Sequence, residues 1–220
     1  MSQPLLELRG VSCERDDVPL FEPVSFALAA ADIVQLEGAN GVGKTSLLRC
    51  IGGLSSRWHG EMLWCGEPLA RRRVEFLAST IYLGHAIGLK AALSASENLQ
   101  WWASLRGVDT RANSSAHAAI FAALERVGLC GYENFPCYQL SAGQQRRVGL
   151  ARLFLSDAKL WILDEPFTAI DRSGVVELTA WLIAHADTGG AVLFTSHQPL
   201  SAAPMLRQVA LNAAVDVVYE

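Results

Sequence analysis

Gly38-Ala39-Asn40-Gly41-Val42-Gly43-Lys44-Thr45 decides how this chain is read. The stretch fits the pattern G-x-x-x-x-G-K-S/T, with Gly38, Gly43, Lys44 and Thr45 in the fixed places. Its flanks have the required character. Ile33-Val34-Gln35-Leu36-Glu37 reads as a buried strand, and Ser46-Leu47-Leu48-Arg49-Cys50-Ile51 reads as the start of a helix. A glycine-rich turn between strand and helix aims successive backbone N–H groups at one anion. The helix N-terminus adds partial positive charge at the same point. Residues Gly38 to Ser46 are therefore the candidate phosphate-binding segment. Lys44 is placed for the β- and γ-phosphates of a nucleotide, and the Thr45 hydroxyl for Mg²⁺.

The surrounding chain is long enough to enclose such a site. It has 220 residues, 51% of them hydrophobic, which supports one sizeable core and excludes a disordered segment. Mean hydropathy is +0.23, high for a freely soluble enzyme and consistent with an apolar surface kept for a partner. The net charge of −4, with no basic tail, argues against nucleic acid as a partner. Arg71-Arg72-Arg73 is the exception and reads as a solvated turn. Met1-Ser2-Gln3-Pro4 does not open a secretory signal, and no uncharged apolar run reaches the length of a membrane span. A cytoplasmic protein is expected. The five cysteines form no C-x-x-C pair, so they are expected to be reduced and mostly packed, without a metal or disulfide framework.

Patterning predicts strands at 5–11, 24–28, 33–37, 61–65, 79–83, 160–163 and 191–196. Helical spacing covers 96–105, 111–127 with Gly128 as its C-cap, a segment after Ser141, and 175–185. Ser141 suits an N-cap. This order gives one α/β core with a helical subdomain at roughly 86–155.

A second motif answers the first. Lys159-Leu160-Trp161-Ile162-Leu163-Asp164-Glu165-Pro166 is an apolar strand that delivers two carboxylates at its end. After a phosphate loop, Asp164 is placed to hold Mg²⁺ and Glu165 to polarise the attacking water.

Leu140-Ser141-Ala142-Gly143-Gln144, followed by a helix and a strand ending in Asp-Glu-Pro, resembles the signature of ATP-binding cassette ATPases. The likeness covers nearly the whole chain. Ala169-Ile170-Asp171 is similar to the family's D-loop, Thr195-Ser196-His197 to its switch histidine, and Leu93–Leu99 to the stretch that opens its helical subdomain. The resemblance implies an α/β P-loop NTPase core with an antiparallel β subdomain and a helical insertion, all within one nucleotide-binding domain at 1–220. It implies an ATPase in which Lys44, Glu165 and His197 are catalytic, and Thr45 and Asp164 hold Mg²⁺. Ser141, Ala142, Gly143 and Gln144 would close over ATP held by a second subunit, with Asp171 at the dimer contact. One phosphate loop and one signature per chain then imply a homodimer, docked on integral membrane transporter subunits.

Three positions depart from the family pattern. Ala142 stands where the signature has its second glycine. His85 falls where the Q-loop glutamine is expected, twelve positions before Glu97. It joins the candidate ATP-binding residues as a group whose charge changes near neutral pH. The aromatic that stacks on adenine is missing, and Cys13, Glu14 and Arg15 occupy its region; Arg15 could stack there as a cation, or lie in solvent. Within the family, LSAGQQRR at 140–147, WILDEPFTAID at 161–171, YLGH at 82–85 and Cys13-Glu14-Arg15-Asp16 are most similar to ATP-binding subunits of haem exporters for cytochrome c maturation. Such a subunit would lie peripherally on the cytoplasmic face of a bacterial inner membrane. Another small-molecule or lipid exporter, or a soluble cassette ATPase, remain as alternatives. Ile87, Leu89, Leu93, Trp101 and Trp102 are the candidate docking surface.

Overall fold

The computed structural model describes residues 3–107, 114–197 and 206–214. The strands are β1 (Leu6–Arg15), β2 (Val18–Pro19), β3 (Val24–Leu28), β4 (Ile33–Glu37), β5 (Trp58–Trp64), β6 (Glu67–Pro68), β7 (Thr80–Leu83), β8 (Leu160–Leu163), β9 (Ala191–Thr195) and β10 (Leu206–Ala210). The helices are α1 (Lys44–Ile51), α2 (Arg73–Ala78), α3 (Ala95–Leu105), α4 (Ser114–Arg126), α5 (Ala142–Ala151) and α6 (Arg172–Asp187). None of them is long and apolar enough to cross a membrane. Two compact units emerge. One comprises Met1–His85, Ala158–Phe167 and Val176–Glu220, the other Ala86–Asp157 and Thr168–Val175.

The first unit holds two sheets. A parallel sheet runs in the order β10-β4-β9-β8-β7. Every residue of β8 and β9 is buried, and four of the five in β4, as expected for strands covered on both faces. Because these strands are parallel, β4, β8 and β9 end at one edge, where ligands bind in open α/β sheets. The register sets Leu36 opposite Thr195 and Leu163 opposite Phe194. The second sheet is antiparallel, with β1 paired to β2, β3 and β5. Leu6, Leu8 and Trp64 of this sheet share one core with Leu47, Leu48 and Ile51 of α1 and with Leu160, Ile162 and Leu193 of the parallel sheet.

The second unit is mostly helical. Ser94 and Ser141 both close capping boxes, on Glu97 and Gln144 respectively. Asn98 is fully buried. Its carboxamide accepts from Lys90 N–H and donates to the carbonyls of Lys90, Leu93 and Ser94, which fixes the loop ahead of α3. Gly149 lies where a Cβ would overlap the Ile87 side chain, so α5 packs closely on that loop.

Several elements differ from the sequence patterning. β1 and β5 are longer, because register shifts between Leu8 and Val11 against β3 and between Arg9 and Ser12 against β5 break the alternation without ending the strands. Arg71 and Arg72 do lie in a turn, but Arg73 begins α2, which patterning missed. β10 was also missed; most of its residues are exposed or half-buried, so it lacks an apolar run. Helix α3 starts at its Ser94 cap rather than at Ser96. The expected helix at 111–127 has its first three residues outside the described ones, and α4 ends before Gly128, whose φ of +75° suits a C-cap.

Candidate nucleotide site

The phosphate loop sits between the end of β4 and the start of α1, as its sequence requires. Gly43 caps α1 with φ +106°, and a Cβ there would come within 2.9 Å of the Phe21 ring. Both the left-handed backbone and the close ring demand glycine. Lys44 is 9% exposed, and its ammonium donates to Gly38 O at 2.7 Å and Ala39 O at 3.1 Å. The loop's own carbonyls therefore hold the charge at its centre.

The sheet edge brings the second motif to this loop. The Thr45 hydroxyl donates to Asp164 Oδ1 at 3.0 Å. The Thr195 hydroxyl at the end of β9 donates to the same oxygen at 2.9 Å and accepts from Glu165 N–H at 2.9 Å. One buried hydroxyl thus sets the position of both carboxylate residues. Glu165 has φ +51°, an uncommon conformation for a residue with a side chain. Its carboxylate accepts from His197 N–H at 3.2 Å, and its other oxygen lies 3.4 Å from His197 Nε2. Burial, and then the Asp164 charge, push the Tyr82 phenol up to about 12, so Tyr82 is neutral beside this cluster at ordinary pH. The donor chemistry fits Mg²⁺: a hydroxyl and a carboxylate, both hard oxygens, converge beside a phosphate-binding loop.

The structure thus brings together Gly38–Ser46, Asp164, Glu165 and His197. Thr195 joins them through a bridging role that patterning did not assign. His85 lies two residues beyond β7 and is exposed. Arg15 is exposed and lines a pocket of about 210 Å³ with Glu14, Ser46 and Arg49.

The signature residues form a separate cluster in the helical unit. Gln144 N–H donates to Ser141 Oγ at 3.2 Å, and Ser141 N–H to Gln144 Oε1 at 2.9 Å. Ala142 is exposed, and a Cβ at Gly143 would come within 2.9 Å of Ala169 O. Asp171 belongs to the same unit. Its carboxylate accepts from Ser173 Oγ–H and Gly174 N–H, and Arg147 Nη2 lies 3.6 Å away. These contacts, the Ser173 bond first, hold Asp171 below the usual carboxylate range. Arg147, which also donates to Val127 O at 2.8 Å, links the signature helix to Asp171, a role the sequence reading missed.

Of the candidate docking residues, Trp101 is 39% exposed with the Lys90 ammonium 4.5 Å over its ring. Ile87 instead packs inward near Gly149, and its carbonyl accepts from Arg152.

The ABC transporter family matches residues 21–168. The chain belongs to this family. It is an ABC-type ATPase, a class that uses ATP with a divalent metal. Among its relatives is the cytochrome c biogenesis ATP-binding export protein CcmA of Saccharophagus degradans, 50% identical over 93% of this chain and 92% of that protein. The protein of the same name from Hahella chejuensis is 48% identical over 96% of this chain and 97% of its own length. A solved Pyrococcus furiosus protein, described as an ABC transporter ATP-binding protein, superposes with a TM-score of 0.77 at 28% identity, covering 92% of this chain and 96% of that one. Another, titled as the ATP-binding subunit of an ABC transporter, gives 0.81 at 23% identity over 94% of this chain and 86% of its own; that likeness speaks to the fold alone. The expected fold class, a P-loop NTPase core with an antiparallel β subdomain and a helical insertion, agrees with these structures.

Proposed function

We propose that this chain is the ATP-hydrolysing subunit of a membrane exporter that serves cytochrome c biogenesis, and that the step it powers is haem handling. The observation that carries the chemistry is the Thr45–Asp164–Thr195–Glu165–His197 cluster at the mouth of the phosphate loop. The relatives named for cytochrome c biogenesis export, alike over nearly their whole length, support the choice of system.

In this reading, the N–H groups of Gly38–Ser46 and the Lys44 ammonium bind the β- and γ-phosphates. Thr45 and Asp164 would hold Mg²⁺, which neutralises phosphate charge when bound. Glu165 orients and polarises the attacking water, and His197, already in contact with that carboxylate, faces the γ-phosphate. The chain's part is positioning and electrostatic stabilisation, which dominate phosphoryl transfer. Ser141–Gln144 of each copy completes the site of a second copy, with Asp171 at the contact. A homodimer follows because one chain carries one phosphate loop and one signature. His85 occupies the position of the Q-loop glutamine and senses the bound nucleotide. The dimer sits peripherally on the cytoplasmic face of a bacterial inner membrane, against integral membrane subunits.

Glu165→Gln tests the chemistry. It should lower turnover by on the order of 10²-fold or more and leave an ATP-bound dimer detectable by light scattering. Near-normal turnover would remove Glu165 from its role.

A further inference from the structure

We propose that Cys13 and Cys50 are a modification site, which closes to a reversible disulfide by exchange with a small anionic disulfide. The two residues lie far apart in sequence, on β1 and α1, yet their sulfurs are 3.5 Å apart. A disulfide needs about 2.05 Å, so roughly 1.5 Å of closure is required. Cys13 is held in the sheet opposite Trp58, and its carbonyl accepts from Leu20 N–H. Cys50 is in the last turn of α1, two residues before Gly52, and its carbonyl accepts from Gly53 N–H.

Cys13 is 1% and Cys50 5% exposed, so a reagent reaches them only through the pocket that both line. Both residues line the pocket of about 210 Å³, where Arg15, Arg49 and Arg57 outweigh the one carboxylate of Glu14. Cys50 also lines a neighbouring pocket of about 620 Å³, where Arg73 is balanced by Glu61. Cationic walls attract an anionic reagent and stabilise a thiolate. The bond from Cys13, then Ser55 and the Arg49 charge, draw the Cys50 thiol below its ordinary range against its burial, while the same contact and burial push Cys13 up. Cys50, which lines both pockets where Cys13 lines one, is the attacking sulfur. Among the described residues no group of three or more His, Cys, Asp and Glu is placed to hold a metal ion, which favours a disulfide over metal binding.

The exchange balances. The Cys50 thiolate attacks RS–SR, the S–S bond breaks, and one RS⁻ leaves. Cys13 then loses its proton to solvent and attacks the Cys50 sulfur, expelling the second RS⁻. Two protein thiols are oxidised by two electrons, and the reagent is reduced to two thiols. The product ties the phosphate-loop helix to the antiparallel sheet.

The test uses the full chain, reduced and then exposed to oxidised glutathione, which is anionic, or to cystamine, which is cationic. Free thiols are blocked afterwards and peptides are mapped by mass. A linked pair carrying Cys13 and Cys50, two hydrogens lighter and restored by dithiothreitol, is expected. Oxidised glutathione should form it about tenfold faster or more than cystamine at low salt. Exposed Cys130 reports ordinary surface reactivity with both reagents. Cys13→Ala should trap a glutathione adduct on Cys50, whereas Cys50→Ala should leave Cys13 unmodified. The proposal is overturned if both thiols stay free while Cys130 reacts, if they link only in urea, or if cystamine is as fast. Should either variant fail to fold, the wild-type map decides alone.

Discussion

Replacing Thr195 by Val probes the site at its least obvious joint. The two side chains have nearly the same shape, so no cavity opens, and Thr195 is only 1% exposed. What is lost is a donor to Asp164 Oδ1 and an acceptor for Glu165 N–H. A hydrogen bond to a charged group contributes about 1.5–3 kcal/mol, and a buried donor left unpaired costs about 1–3 kcal/mol. Asp164 keeps the Thr45 hydroxyl, so the combined loss should be about 2–4 kcal/mol, a large share of a typical 5–15 kcal/mol total. Glu165, freed from its anchor, can relax from its φ of +51° and drift from the Thr45–Asp164 oxygens. A loss of about 1.4–2.7 kcal/mol in barrier lowering corresponds to a 10- to 100-fold fall in turnover. Urea unfolding followed by tryptophan fluorescence gives the first quantity, and ATP turnover in membranes carrying the whole exporter gives the second. Thr195→Ser, which keeps the hydroxyl, should stay close to wild type in both. If the Val variant matches wild type in stability and turnover, the bridging hydroxyl does not organise the two carboxylates.

Asn98→Leu removes the four hydrogen bonds of the Asn98 carboxamide to the 90–94 loop and should destabilise the helical unit by about 3 kcal/mol, read as a lowered unfolding midpoint; an unchanged midpoint would discount the clamp. Gly149→Ala forces Ile87 to move and should cost about 1–3 kcal/mol, with Gly149→Ala/Ile87→Leu, which lacks the clashing Cγ2 methyl, recovering part of it; no loss in the single variant would contradict the close packing. His185 is stacked on Trp161 at 3.9 Å, and burial, opposed by backbone bonds, holds its pKa below the ordinary value. The unfolded chain therefore takes up this proton more readily, and stability should fall as pH drops below about 6.5. His185→Phe should flatten that part of the melting-temperature profile, while identical slopes would exclude His185 as the cause.

The phosphate loop was legible because its fixed spacing stood between an apolar strand and a helix, a local arrangement that needs no partner from elsewhere. The Asp164-Glu165 pair was legible for the same reason. Thr195 was not, since its link to both carboxylates depends on the register of β8 and β9, which unites residues 30 and 31 positions apart. Arg147 was passed over because nothing near it in sequence points to Asp171. The Ser94 cap could have been read from Ser94-Ala95-Ser96-Glu97, where the reciprocal Ser and Glu stand three apart. The proximity of Cys13 and Cys50 had no sequence signal, because neither belongs to a spaced cysteine motif.

The most direct measurement is a stain for covalently bound haem in cells whose sole copy of this chain carries Lys44→Ala, with the protein confirmed at normal level. Lys44 is held at the centre of the phosphate loop, so this change should stop ATP-dependent work. Loss of c-type cytochromes while total haem and b-type cytochromes persist is the expected result. Normal c-type and b-type cytochromes together would contradict the assignment to cytochrome c biogenesis and point to an exporter of another cargo.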